Sequence, residues 1–368
     1  MKWFEIEGID NIDSPSIVLY EERIDNNLKK MLKMADNDAS KLMPHVKTNK
    51  MPKVIRKMIS LGIKNFKAST IAEAEMVARE GASSVLIAHQ LVGPKIQRFA
   101  NLCIQFPKTE FTTIIDNNLT LKNLHIEAHK KDISIGFYID INNGMNRTGI
   151  EIGPNIHKLI NQVKSFKNLY IKGLHVYDGH LRNSNFADRK DQIEKDFTSV
   201  NSLFEKLKLN NPELKLISGG TPSFTTHLRN ESRICSPGTC VLWDWGYSEI
   251  LVEQEFNFAA LLISRVISKP TMGIITIDLG HKAVAAENSI DKRVKFLNLE
   301  NYKLLSQSEE HGVIQIENWE SIQVGDVIYG IPYHICPTIN LYDTVSVISD
   351  GKKIAEWSIT ARQRKITI

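Results

Sequence analysis

Two apolar segments, ISIGFYIDI at residues 133–141 and LYIKGLHVY at 169–177, are separated by the amphipathic segment PNIHKLINQVKSF at 154–166. Each apolar segment is long enough for a buried strand, and the segment between them has the periodicity of a helix. Strand, helix and strand in this order predict a βαβ unit, whose two strands run parallel.

The same alternation extends along the chain in both directions. Further predicted strands are KLMPHVK (41–47), KNFKAS (64–69), SVLIAH (84–89), FTTIID (111–116), LKLIS (214–218) and SRICS (232–236). Other helical patterns are MPKVIRKMISLG (51–62), TIAEAEMVAREG (70–81), PKIQRFANLCIQF (94–106) and NLTLKNLHIEAHKK (118–131). Eight strands alternating with helices predict an α/β protein with a (β/α)8 TIM-type barrel. A doubly wound open sheet is the alternative, although it usually has fewer strands.

The pattern changes after residue 258 to short segments of period-2 alternation separated by turn signals. In VSVISDGKKIAEW (345–357), Asp350 and Gly351 fit a tight hairpin turn between two strands. The sequence therefore predicts a second, C-terminal all-β domain.

The composition argues against several classes of protein. The net charge is only +4, with dispersed lysines and arginines, so no nucleic acid partner is expected. No apolar run approaches a membrane span and MKWFEIEGID lacks a signal-peptide core, so no membrane association is expected. Unpaired cysteine spacing is typical of reduced thiols and indicates a cytoplasmic protein. The cysteines are Cys103, Cys235, Cys240 and Cys336.

In such a barrel the active site lies at the carboxyl ends of the strands. These ends carry polar or glycine-rich residues: Lys47, Ser69, His89, Asp116, 142–147, 177–180, 218–221 and 236–239. Lys47 closes the apolar stretch MPHVKTNK (43–50). It is either a surface group or a desolvated amine that can attack a carbonyl.

Two of the strand ends, SGGTPS (218–223) and SPGT (236–239), contain glycines that let backbone N–H groups approach an anion. Hydroxyls of Ser218, Thr221 and Thr239 add donors, so the pair suits a phosphate. Two tight turns are the simpler interpretation.

Two further loops carry charged or titratable side chains. Arg147, in DINNGMNRTG (140–149), either faces solvent or binds a ring nitrogen or carboxylate. In YDGHLR (177–182), Tyr177 and His180 flank a turn, and His180 is an acid–base candidate or a bystander.

The segment HIC (334–336) is a metal-binding candidate. At positions i and i+2 of an extended segment, His334 and Cys336 point to one face. Imidazole with thiolate favours Zn²⁺, and no second His/Cys pair stands nearby, so an open site is predicted. An ordinary strand is the alternative.

Together, PHVKTNK, NGMNRTG, GLHVYDGHLR, SGGTPS, SPGTCVLWD, IDLGHKA and PYHICPTINLYD resemble the D-threonine aldolase and D-serine dehydratase family. These enzymes are alanine racemase-like, fold type III proteins that bind pyridoxal 5′-phosphate (PLP). The resemblance implies a barrel over residues 16–250 and a β domain formed by 1–15 and 251–368. It also implies a homodimer with sites near the domain interface.

The resemblance further implies the role of each site residue. Lys47 forms the covalent link to PLP, Arg147 faces the pyridine nitrogen, and Tyr177 lies beside the ring. The phosphate residues are Ser218, Gly219, Gly220, Thr221, Gly238 and Thr239. His334 and Cys336 bind a divalent metal, most simply Zn²⁺, with Mn²⁺ or Mg²⁺ as alternatives.

The implied substrate is a D-3-hydroxy amino acid, and two lyase reactions remain open. A His-x-Cys pair favours dehydration to a 2-keto acid and ammonia, with Lys47 as base. HLR after the YDG turn favours retro-aldol cleavage to glycine and an aldehyde, with His180 as base. The sequence is interpreted first as a dehydratase and second as an aldolase. An amino acid racemase and a non-catalytic PLP carrier are more distant alternatives.

Overall fold

A computed structural model describes residues 2–368, which form two compact units. The barrel unit comprises Met31–Gly238 and Thr360–Ile368. The β unit comprises the residues up to Lys30 together with Thr239–Ile359.

The strands and α-helices have the following bounds in chain order. The strands are β1 (Ser16–Tyr20), β2 (Asn65–Ala68), β3 (Ser84–Ile87), β4 (Glu110–Ile115), β5 (Ile135–Ile141), β6 (Leu169–Val176), β7 (Lys215–Ser218), β8 (Arg233–Cys235), β9 (Ala260–Thr271), β10 (Ile274–Ile277), β11 (Val294–Phe296), β12 (Tyr302–Gln307), β13 (Gly312–Ile316), β14 (Val327–Pro332), β15 (Thr344–Ser349) and β16 (Lys352–Ser358). The helices are α1 (Glu21–Met34), α2 (Pro52–Ser60), α3 (Ile71–Arg79), α4 (Pro94–Gln105), α5 (Asn118–Lys130), α6 (Pro154–Val163), α7 (Phe186–Asp196), α8 (Thr198–Lys208), α9 (Phe224–His227), α10 (Trp245–Ile250) and α11 (Ile335–Ile339).

The barrel unit contains β2 to β8 as a parallel sheet in chain order. Helices alternate with these strands, and the predicted helical patterns correspond to α2–α6. Local signals place the helix ends. The Thr70 side chain accepts a hydrogen bond from the Glu73 N–H at the start of α3, and Pro94 begins α4. The predicted α/β barrel fold with a second, mostly β region is therefore confirmed.

The predicted first strand at 41–47 is not a regular strand, and this part of the prediction is wrong. Leu42 makes an isolated bridge to Cys235 of β8, and His45 makes one to Lys67 of β2. The segment changes partner around Pro44, which has no N–H to donate, so no continuous ladder forms. It still bridges both edge strands, and it thereby takes the eighth position of the barrel.

In the β unit the strand order is β12-β13-β10-β9-β1-β15-β16, and β14 pairs with both β9 and β11. β1 pairs in parallel with β15 and antiparallel with β9. The sequence-based boundaries differ from the compact units, because they place residues 16–30 and 239–250 with the barrel and 360–368 with the β domain. β1 is buried along most of its length, so its sequence resembles that of a barrel strand.

The predicted hairpin turn is confirmed between β15 and β16. Asp350 and Gly351 have φ values of 47° and 74°, as a type I′ turn requires.

The apolar interior of the barrel unit lies beneath a polar layer. Its packed residues are Met43, Leu86, Ile114, Tyr138 and Ile217. Asp140 shares a face of β5 with Tyr138 but lies closer to the carboxyl end, where the polar layer begins. Among residues 2–368, no helix combines the length and the apolar character needed to cross a membrane.

Candidate active site

Lys47 lies in a turn directly after the His45 bridge, and its side chain is half-buried. The backbone N–H of Lys47 donates to His45 Nδ1 at 3.3 Å, and His45 Nε2 lies 3.2 Å from Ser69 Oγ. Burial, followed by the positive charges of Lys47 and Lys67, lowers the pKa of His45 well below its usual range. The imidazole beside Lys47 is therefore neutral at pH 7.

Tyr177 and Arg147 lie together at the mouth of the barrel unit. The Arg147 guanidinium carbon is 4.7 Å from the centroid of the Tyr177 ring, within cation–π distance. The Asn142 side chain folds the Arg147 loop by accepting from the N–H groups of Gly144 and Asn146. The Arg147 side chain is exposed, so it is accessible to a ligand.

The exposed His180 lies beside the same loop. A methyl group built on Gly144 would be 3.6 Å from His180 Nε2. The structure therefore brings His180 close to the loop that carries Arg147.

The two glycine-rich turns form a cradle in the barrel unit. Gly219 has φ +74°, and its carbonyl accepts from the Ser236 N–H at 2.8 Å. The Gly238 N–H donates to Thr221 Oγ1 at 3.1 Å, and a Cβ on Gly238 would lie 2.7 Å from the His45 carbonyl oxygen. A side chain at position 238 would therefore require the backbone to move.

The fit of this cradle to an anion rests on two hydroxyls. Within residues 2–368, the buried Ser218 and Ser236 hydroxyl oxygens have no hydrogen-bond partner. A Cβ at Gly220 would lie 3.1 Å from the Tyr177 ring, so the absence of a side chain there lets the turn pack closely against that ring. Unsatisfied buried donors between glycine turns fit the phosphate of PLP.

A buried network that sequence reasoning missed supports the cradle. Asp178 accepts from His227 Nε2 at 2.6 Å and from the Ser223 hydroxyl at 2.7 Å. Arg233 Nη1 lies 2.6 Å from His227 Nδ1. Burial alone would raise the pKa of Asp178, but the interactions with His227 and Ser223 outweigh it and lower that pKa. The Gly219 turn packs on His227, whose Cδ2 would lie 2.8 Å from a Cβ at that glycine.

Three charged or titratable side chains inside the barrel were also missed. Asp140 of β5 accepts from His175 Nδ1 of β6 at 2.6 Å and from Gln90 Nε2 at 2.8 Å. Lys67 of β2 is only 4% exposed, and its Nζ is 5.7 Å from the Tyr177 ring centroid. The available sequence signal was a charged residue inside an otherwise apolar strand, at Lys67 in KNFKAS and at Asp140 in ISIGFYIDI.

The metal candidates His334 and Cys336 lie in the β unit, and Cys336 is close enough to raise the pKa of the His334 imidazole. The extended segment assumed for the pair is wrong. His334 has extended dihedrals, but it caps α11, which begins at Ile335. His334 and Cys336 are therefore brought close together by a strand-to-helix turn and do not share the face of a strand.

The surroundings of this pair are acidic. His334 Nδ1 lies 2.5 Å from Glu287 Oε1, and Thr239 Oγ1 lies 3.4 Å from Cys336 Sγ. Burial would lower the pKa of His334, but Cys336, Glu287 and the charge of Asp244 raise it to about 9. Thr239, predicted as a phosphate donor, thus has its hydroxyl beside the metal candidates.

The donor set fits an open metal site. Among the described residues, no group of three or more His, Cys, Asp or Glu side chains is arranged to hold a metal ion. Imidazole and thiolate suit Zn²⁺, and a carboxylate on the imidazole Nδ1 is the usual support of a metal-binding histidine.

Comparisons with known proteins match up to 97% of the chain. Residues 20–243 match the alanine racemase N-terminal domain, and 259–348 match the serine dehydratase domain. The 3-hydroxy-D-aspartate aldolase of Paracoccus denitrificans (strain Pd 1222) is 26% identical, over 97% of this chain and 94% of that protein. The D-threonine aldolase of Filomicrobium marinum has a TM-score of 0.87, 24% identity and coverage of 97% and 98%. The D-threo-3-hydroxyaspartate dehydratase of Delftia sp. HT23 has a TM-score of 0.74, 17% identity and coverage of 95% and 97%.

Proposed function

The chain belongs to the alanine racemase N-terminal domain family, and from that premise we propose a PLP- and metal-dependent lyase acting on D-3-hydroxy amino acids. The family predicted from the motifs is thereby confirmed. The observation that carries the proposal is the barrel mouth, where a half-buried lysine accompanies a glycine cradle with unsatisfied serine hydroxyls.

Each residue of the mouth has a role in this proposal. The Lys47 amine would hold PLP covalently by condensing with its aldehyde, with loss of water, and Tyr177 would be the aromatic side chain beside the cofactor. The phosphate is held by Ser218, Gly219, Gly220, Thr221 and Gly238, with Ser236 added from the structure and Thr239 retained from the sequence. When bound, PLP withdraws electrons from the substrate's α-carbon.

Arg147 is the proposed partner of the pyridine nitrogen. A guanidinium does not give up a proton at accessible pH, so the ring nitrogen stays unprotonated and withdraws electrons less strongly. Contact with the Tyr177 ring holds the guanidinium at the mouth. A weaker electron sink makes additional activation of the substrate useful.

His334 and Cys336 are the proposed metal ligands, with Zn²⁺ as the expected metal. Zn²⁺ would supply a Lewis acid for the substrate's β-hydroxyl. Glu287 would orient the His334 ring and raise its basicity.

Dehydration is the leading reaction, because His-x-Cys is the ligand pair that the resemblance associates with serine dehydratases. Lys47 would then take the α-proton, and the β-hydroxyl would leave, so that the proton and the hydroxyl are lost together as water. Retro-aldol cleavage is the second candidate, favoured by HLR at 180–182 and by the names of the aldolases similar to this chain. In that reaction the exposed His180 removes the β-hydroxyl proton.

The test incubates the purified protein with D-serine, D-threonine and D-3-hydroxyaspartate, each with its L-enantiomer as control. Keto acid and ammonia identify dehydration, whereas glycine and an aldehyde identify cleavage. Interconversion of enantiomers without either product pair would favour a racemase. Absence of every reaction in PLP-loaded protein would favour the non-catalytic carrier.

A homodimer in a reducing, cytoplasmic compartment completes the proposal. Cys103, Cys235, Cys240 and Cys336 are all free thiols, as expected in that compartment. Light scattering measures the assembly, and a monomeric mass in PLP-loaded protein would contradict the dimer.

A further inference from the structure

Lys67 is a buried cation that none of the roles above uses. It lies on β2, is 4% exposed, and has its ammonium beside the Tyr177 ring. Within residues 2–368 its ammonium has neither a hydrogen bond nor an ion pair, although its backbone N–H and C=O are hydrogen-bonded to Pro44 and Val46. Burying an unpaired ammonium is strongly unfavourable, so lysines in such positions normally have an anionic partner.

The two carboxylates that act electrostatically on Lys67 are already hydrogen-bonded to other side chains. Asp140 accepts from His175 and Gln90, and Asp178 accepts from His227 and Ser223. Both favour the charged form of Lys67 electrostatically, but neither is within ion-pair distance. The described residues of the barrel unit therefore offer no anionic partner to this ammonium.

The other charged side chains near Lys67 are cations. Burial and the positive charge of Lys47 lower the pKa of Lys67 to about 7, and Arg147 acts in the same direction. The nearby His175 is neutral, since burial and the charge of Lys67 lower its pKa. Lys47, Lys67 and Arg147 together leave an excess of positive charge that suits a small organic oxyanion.

We propose that Lys67 binds the phenolate oxygen of PLP, an inference that rests on the proposed function. The cradle accounts for the phosphate and Arg147 for the ring nitrogen, which leaves the phenolate as the remaining anionic atom. The phenolate and the aldehyde carbon that would bond Lys47 are substituents of neighbouring atoms of the pyridine ring, and the charge of Lys47 acts on Lys67. The carboxylate of a substrate is the other source of the same chemistry.

The test is a pH titration of the visible absorbance of PLP-loaded protein without substrate. A cation at the phenolate disfavours the proton shared between that oxygen and the nitrogen of Lys47. Lys67→Met should therefore raise the pH midpoint by about one unit or more. Lys67→Arg should retain most of the wild-type midpoint. Lys64→Met, at an exposed position just before β2, is the matched control and should not shift it.

The possible outcomes separate the inference from the proposed function. An unchanged midpoint in both Lys67→Met and Lys67→Gln, with PLP still bound to Lys47, would overturn the phenolate assignment. If those variants then lost affinity for a non-reacting D-amino acid, the ammonium would bind the substrate carboxylate instead. If borohydride fixed no PLP to Lys47 in the wild type, the proposed function itself would fail.

Discussion

The barrel mouth and the His334–Cys336 pair have opposite electrostatic character. The mouth places three cationic side chains around two carboxylates that are already hydrogen-bonded, and two buried serine hydroxyls have no partner in the described part of the chain. At the other site, Glu287, Cys336 and Asp244 surround one imidazole and favour its protonated form. The mouth thus suits an anion, and the His334–Cys336 pair suits a cation. Loss of PLP and loss of metal should therefore affect the two sites separately.

Replacing the lysine of the mouth should have the largest effect. Lys47→Ala removes both the covalent link to PLP and the proposed base, so turnover should fall by about 10⁴-fold. The visible absorbance that borohydride fixes to the chain should disappear as well. Lys53→Ala, at an exposed site in α2, is the control. Full activity in Lys47→Ala would remove the basis of the proposed function.

Removing the metal should affect the His334–Cys336 pair and leave PLP bound at the barrel mouth. Chelation should lower turnover by about a thousandfold, because a Lewis acid contributes several kcal/mol. The visible absorbance should survive, since PLP and metal have separate ligands. Re-addition of Zn²⁺ should restore activity. Undiminished activity, with no metal found by elemental analysis, would bring the racemase interpretation forward.

Cys336→Asp sharpens the comparison by replacing a soft ligand with a hard one of the same charge. A carboxylate should shift metal preference from Zn²⁺ towards Mn²⁺ or Mg²⁺. We also expect product balance to move from dehydration of D-serine towards cleavage of D-threonine. Metal titrations monitored by turnover measure the first effect and product analysis measures the second. An unchanged metal preference would count against Cys336 as a ligand.

The serine hydroxyls of the cradle should contribute less. Ser218→Ala and Ser236→Ala should each weaken PLP binding by about tenfold, since each removes one hydrogen bond to a charged group. Equilibrium titration of the protein with PLP measures the change. Ser83→Ala, an exposed serine before β3, is the control. PLP affinity equal to that of the wild type in both variants would place the phosphate elsewhere.

The smallest expected effect is on the thermal stability of the PLP-free protein and concerns Lys67. The pKa of Lys67 falls from 10.5 to about 7 on folding, so between these two values the unfolded chain binds more protons and stability rises with pH. The buried charge is therefore most destabilising below pH 7. Lys67→Met should raise the Tm of PLP-free protein by about 2 °C or more at pH 6, and by less near pH 10. A lower Tm for the variant at pH 6 would show that Lys67 stabilises the empty barrel.

Local periodicity was sufficient to predict most elements of the barrel. β2 to β8 and α2–α6 lie where their patterns indicate, because each buried face repeats over a few neighbouring residues. Lys47, Tyr177 and the glycine turns could then be placed at one mouth, because parallel strands end at the same edge. The proximity of His334 and Cys336 could also be predicted, because two residues so close in the chain cannot lie far apart. The expected strand is instead a helix cap.

Other features depended on contacts between residues far apart in the chain. Whether a buried strand such as β1 pairs with β9 or with a barrel strand is not encoded in its own apolar pattern. The sequence alone thus determined the family, the alternation of strands and helices, and the residues at the strand ends. Only the tertiary structure decided that Asp178 is hydrogen-bonded to His227, while the Lys67 ammonium has no anionic partner among residues 2–368. Pairing among buried charges depends on distances that the folded backbone sets.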